Sequence, residues 1–124
     1  VRVVVADEAV ASLCEDPRAG AEVLGPRGYD SVTLVLDLIA PATMTLTALE
    51  TLASLALEYD SHPATHVVIT TKYVRMTFRS VTHPSGEPVM FDPTHQIAPL
   101  TLQLLEVVAI AAEEAASRRR WSRA

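Results

Sequence analysis

Apolar and polar residues alternate along this chain in segments whose period changes at prolines and glycines. The opening run Val1 to Ala6, Val-Arg-Val-Val-Val-Ala, is β-forming and predicts a strand. Asp7 stands where it can cap a short helix from Glu8 to Cys14, with Ala9, Val10 and Leu13 on one side. Pro17 ends that helix, and Gly20, Gly25, Pro26 and Gly28 predict an irregular connection from Pro17 to Asp30. From Ser31 to Ile39, Val32, Leu34, Leu36 and Leu38 alternate with Thr33, Val35 and Asp37, which predicts a second strand.

Thr47 followed by Glu50 has the form of a capping box, and the pattern predicts a helix running to about Tyr59. Its apolar side, which includes Leu49, Leu52, Ala53 and Ala56, is wide enough to lie on a sheet. Pro63 enforces a break after Asp60-Ser61-His62. Thr65 to Val81 is strongly β-forming and reads as two strands turning near Thr71-Lys72. Val74, Met76 and Phe78 then share one face, and Tyr73, Arg75, Thr77 and Arg79 the other. His83 to Pro93 reads as a loop, with Asp92 as a turn residue. A last helix is predicted from Pro99 to Ser117.

The order strand, helix, strand, helix, two strands, helix fits an α+β fold: a small, mostly antiparallel sheet with helices packed on one face. Residues 1–117 are expected to form a single domain, followed by a basic tail over 118–124. The last helix carries polar residues on only a narrow stripe, so self-association through a helix or a sheet edge is expected.

At 124 residues and 49% hydrophobic composition, the chain can bury one sizeable core and is not a disordered polymer. Ile97 to Ala116 is long enough for a membrane span, but Gln103, Glu106, Glu113 and Glu114 make it too polar. No membrane association is expected, and with no leader pattern in view a cytoplasmic location is the expectation. One cysteine, Cys14, excludes an intramolecular disulfide framework and cysteine-based zinc modules.

The formal charge of −5 hides an asymmetry. Four arginines lie in the last seven residues, leaving six basic against fifteen acidic residues in positions 1–117, a net of −9. A phosphate backbone has little to hold there, so nucleic acid is not an expected partner. Tyr73 and Arg75 are candidate binding residues on one strand face, more suited to an ion-paired interface than to nucleic acid.

The four histidines, His62, His66, His83 and His95, all lie within one stretch of the chain. Imidazole exchanges protons near neutral pH, so His62 and His83, at the ends of the long β segment, are the candidate acid-base residues. Pro63 keeps His62 and His66 off a common helix face, so no metal site is expected.

Leu55-Ala56-Leu57-Glu58-Tyr59-Asp60-Ser61-His62-Pro63 resembles the helix end and His-His-Pro signature of pterin-4a-carbinolamine dehydratases. Thr82-His83 is similar to a second family element, and the resemblance in element order covers roughly residues 31 to 117. It implies proton transfer by His62, with His83 as a second pocket histidine, during loss of a 4a-hydroxyl from a pterin, and no cofactor. The first histidine of the pair falls on Ser61, whose hydroxyl can only hydrogen-bond, and the family's acid falls on Leu57. Relatives that lack catalysis act in protein assembly. The expected function is therefore a non-catalytic dimeric binding or assembly module with a protein partner. A pterin-binding dehydratase and an unrelated α+β interaction domain are the alternatives.

Overall fold

Two aspartates organise the first third of the chain. Asp7 Oδ1 accepts from the backbone N–H of Ala9 (2.8 Å) and Val10 (3.2 Å), starting α1 (Glu8–Glu15) directly after strand β1 (Arg2–Val4). Asp16 repeats the device, accepting from Arg18 N (3.0 Å) and Ala19 N (3.4 Å) to start α2 (Pro17–Leu24). Each cap satisfies N–H groups that a helix leaves unpaired at its start. Gly25, at φ 78, closes α2, and Pro26 opens α3 (Pro26–Ile39). The irregular connection expected over Pro17 to Asp30 is therefore helical. Both prolines stand in first turns, where no backbone bond is lost.

The strand expected from Ser31 to Ile39 is the body of α3. Gly28, Ser31, Val32, Val35 and Ile39 are buried at helical spacing, while Leu34 is 56% exposed. With apolar residues at most positions, the run fits a period of two as well as one of 3.6. The proline start and the buried stripe select the helix.

The computed structural model describes residues 1–41, 45–53, 55–82, 85–94 and 100–110. Helix α4 (Leu46–Ala53) begins behind Thr45, whose Oγ1 accepts from Ala48 N at 3.2 Å. Thr47, the expected cap, instead donates to the Pro93 carbonyl at 3.1 Å. The helix does not reach Tyr59, because Ala56–Tyr59 is strand β2. Leu57 there lies opposite Ile69, which lies opposite Met76. Cross-strand packing of that kind readily overrides local helix preference.

Strands β3 (His66–Thr70) and β4 (Val74–Val81) form the expected hairpin. Thr71 Oγ1 accepts from Tyr73 N (3.2 Å) and Val74 N (3.1 Å) and so shapes the turn. Strand β5 (Thr101–Ala109) replaces the helix expected from Pro99, and its expected continuation over 111–117 lies outside the described residues. Thr77 pairs with Glu106 and Phe78 with Leu104, so Leu105 is an extra residue in the ladder. That bulge moves the inward positions from Leu102 and Leu104 to Val107, a spacing that imitates a helix stripe. The self-associating helix expected there loses its premise, since the strand divides these residues between two faces.

The sheet order is β1-β5-β4-β3-β2, with β1 parallel to β5 and the other three pairings antiparallel. The molecule is thus an α+β fold with a mixed, mostly antiparallel sheet and its helices alongside. Leu57, Ile69, Met76, Phe78 and Leu104 on the sheet meet Leu24, Val32, Val35, Ile39 and Leu46 from the helices in one buried cluster. Among the described residues no helix is long and apolar enough to cross a membrane.

Gly20 lies where α2 presses on its neighbours: an added Cβ would overlap the Tyr29 ring and stand 2.7 Å from the Leu13 carbonyl oxygen. Alanine improves helix propensity by about 1 kcal/mol, whereas overpacking against backbone costs about 1–3 kcal/mol. Gly20→Ala is therefore expected to lower the urea midpoint. A raised midpoint would show that this contact relaxes freely.

Candidate interaction face

With the helices on one side of the sheet, the register fixes what the opposite side presents. Ala56, Thr70, Arg75 and Val108 form one cross-strand row, and Glu58, Val68, Thr77 and Glu106 form the next. His66, Arg79, Gln103 and Val4 make the third, and Val81, Thr101 and Arg2 the fourth. Among the described residues, Val68, Thr70, Thr77 and Val108 in mid-sheet remain partly exposed, and Ala56, Glu58, Arg75 and Glu106 are exposed. Among the described residues the first three rows are therefore open and banded, arginine, then two glutamates, then arginine with histidine, while in the fourth row Val81 and Thr101 are buried and Arg2 is exposed.

Arg79 is the least conventionally satisfied of these charges. Its Nη2 donates to Gln103 Oε1 at 2.9 Å, while its buried Nε has no hydrogen-bond partner among the described residues. Among the described residues Arg18 pairs with Glu22 and His66 with Asp60, and neither ion pair involves Arg79, Glu58 or Glu106. Arg79 and Gln103, with Val4, Val81, Thr101 and Gly86, line an open cleft of ≈ 390 Å³ at the end of the sheet.

The turn between β2 and β3 is held by one carboxylate. Asp60 Oδ1 accepts from the N–H groups of Thr65 and His66, each at 2.9 Å. Its Oδ2 takes the Thr65 hydroxyl and lies 3.3 Å from His66 Nδ1. These bonds, the Thr65 hydroxyl foremost, hold the Asp60 carboxyl well below the usual carboxylate range. His62 and Ser61 are exposed on this turn, next to the cis His62–Pro63 peptide, and Ser61 Oγ donates to the Pro63 carbonyl at 2.8 Å. His83, the other candidate acid-base residue, lies outside the described residues, as does His95.

Tyr73 and Arg75 sit at the far end of β3, roughly 17 Å from that turn at about 3.4 Å per residue. Arg75 is on the open face, but Tyr73 turns toward the helices, where Arg27 Nη1 donates to its hydroxyl at 3.1 Å. That bond and the charges of Arg27 and Lys72 hold the phenol below its ordinary value. Of the three candidate binding residues, Tyr73 and Arg75 thus do not share a surface with each other, and Ser61 lies apart from both on the turn with His62. Burial, then the Glu15 charge, pushes the Cys14 thiol up, away from nucleophilic chemistry. Among the described residues no group of three or more His, Cys, Asp or Glu could hold a metal ion.

Residue reasoning found Arg75, Thr77 and Arg79 on one strand face, but missed the glutamates and Gln103 beside them. Glu58, Gln103 and Glu106 lie in segments whose local pattern predicts helices. The letters of the dehydratase resemblance, Leu55 to Pro63, lie on β2 and its following turn rather than on a helix end. No protein-family model, curated protein or solved structure matches the chain.

The Asp60 carboxylate stabilises the fold because its proton affinity is lower folded than unfolded. Its contribution is complete above the ordinary aspartate value of 3.8 and is lost as pH falls below it. Asp60→Ala is expected to cost about 1 kcal/mol at neutral pH, modest because the group is partly exposed. The urea-midpoint difference from wild type should shrink toward pH 3. A difference independent of pH would remove the charge from the explanation.

Proposed function

We propose that this chain is a non-catalytic protein-binding module that presents the open side of its sheet to a partner. The observation that carries this reading is the banded face itself, with Val68, Thr77 and Val108 in mid-sheet amid exposed charged residues. Apolar and β-branched side chains supply area to remove from water, while fixed charges set register and exclude wrong partners. Such a surface keeps the assembly role that the sequence favoured and relocates it from a last helix to the sheet. A free, half-buried Cys14 suits a reducing compartment, and we assign the chain to the cytoplasm on that ground.

The dehydratase alternative has less behind it. Proton transfer to a bound pterin needs a positioned imidazole in a site that excludes water, and His62 stands exposed on a turn. Wild type and His62→Ala are both expected to leave 4a-hydroxytetrahydropterin dehydration at its background rate. An acceleration of roughly 100-fold, lost in the variant, would overturn the non-catalytic reading.

A photo-crosslinking amino acid placed at Val68 tests the docking face in cells, with the same group at Val23 on α2 as the control. Val23 is 61% exposed on the opposite side of the molecule. Discrete adducts of defined mass from position 68 and none from position 23 are expected. Adducts from position 23 alone would place the interface on the helices and overturn the proposal, as would none from either position.

A further inference from the structure

Among the described residues, Glu58, Glu106 and Arg79 of the open face take part in no ion pair within the chain. Glu58 and Glu106 share the second row, and Arg79 stands in the third, held toward Gln103 rather than Glu106. We infer that the partner is a second copy of this chain, packed face to face about a two-fold axis, so that Glu106 of each copy meets Arg79 and Gln103 of the other. This rests on the reading of the open face as a protein-docking surface, and names the occupant.

The geometry follows from the register. Rows on one face of a strand repeat about every 6.8 Å, and neighbouring strands lie about 4.8 Å apart. A two-fold axis along the rows, midway between the second and the third, lays each third row on the partner's second row at the same strand. Gln103 and Glu106 are both on β5, so Gln103 comes over the partner's Glu106. Arg79 is one strand away on β4, and its guanidinium reaches the same carboxylate. His66, on β3, comes beside the partner's Glu58 on β2.

The outer rows are compatible with the same operation. Arg75 comes over the position of the partner's buried Val81, two strands from the partner's Arg2, so the like charges stay roughly 10 Å apart. Aligned sheets pack with a rotation of about 30°, which shifts the outer rows more than the central pair. An axis between the first and second rows would leave Arg79 and Gln103 beyond the overlap. The arrangement that uses the partly buried Arg79 is the one that supplies its missing carboxylate.

Sedimentation of the full chain and of two variants, Arg79→Glu and Glu106→Arg, tests this. Wild type is expected to be dimeric at about 100 μM, and each variant to dissociate at least thirty-fold more readily, as for loss of a buried charge pair. In each variant homodimer the facing groups repel. An equimolar mixture of the two variants restores both contacts and is expected to sediment as a dimer, which no misfolded chain could do. A monomeric wild type overturns the second-copy assignment, as do variants that remain dimeric or a mixture that remains monomeric. Adducts from position 68 to a different protein, beside a monomeric wild type, would overturn this assignment alone. An absence of adducts together with a monomeric wild type would remove the docking face as well.

Discussion

The pairing of β4 with β5 across the Leu105 bulge is the constraint on which the rest of the structure depends. Strand β4 is the middle of five, and its ladder with β5 is the longest pairing in the sheet. Without the extra residue, strict alternation would place Leu104 and Val107 on opposite faces. The bulge lets both point inward, where Phe78 and Met76 meet them, while Gln103 and Glu106 both point outward. One inserted residue therefore completes the core and also sets the spacing of the charged rows.

Chain connectivity explains why helices α1 to α4 gather on one side of this sheet. The four helices α1 to α4 lie between β1 and β2, and among the described residues each strand from β2 to β5 pairs antiparallel with the next in the chain. Antiparallel strands need no crossover helix, and helices on the second face arise mainly from such crossovers. The same economy leaves the second face to side-chain chemistry. Its row of Glu58, Val68, Thr77 and Glu106 resembles neither a core layer nor an ordinary wet face.

The elements legible from the residues were those in which one period dominated. Val74, Met76 and Phe78 alternate cleanly with Arg75, Thr77 and Arg79, and that hairpin is present with its turn at Thr71. Asp7 capped the helix it was expected to cap. The α+β class was legible even though the element order was not, because the proportions of strand and helix survived several exchanges of identity. Ser31 to Ile39 is apolar at so many positions that the alternation carried little information, and the neighbouring Pro26 was the better guide. In β2 and β5 the deciding forces were non-local: Leu57 is a strand residue because Ile69 and Met76 are there to receive it. The bulge disguised β5 by giving it the spacing of a helix. For the candidate site, the arginine half of the face lay on a readable strand, while the glutamate half lay on the two strands that local pattern hid.

Arg79 shows how this fold could turn a cost into recognition. A guanidinium partly withdrawn from water gains little from a neutral amide partner, and its buried Nε has no acceptor among the described residues. Replacing such a group with an apolar one would often stabilise an isolated domain, so the single chain offers no strong reason to keep it. Docking supplies one. A carboxylate brought to the Arg79–Gln103 pair as water leaves the face gains from both donors in a medium of lower dielectric. A neutral or basic surface placed there would strand the arginine instead. Discrimination between partners then comes from the same incompletely satisfied charge that makes the face imperfect when exposed.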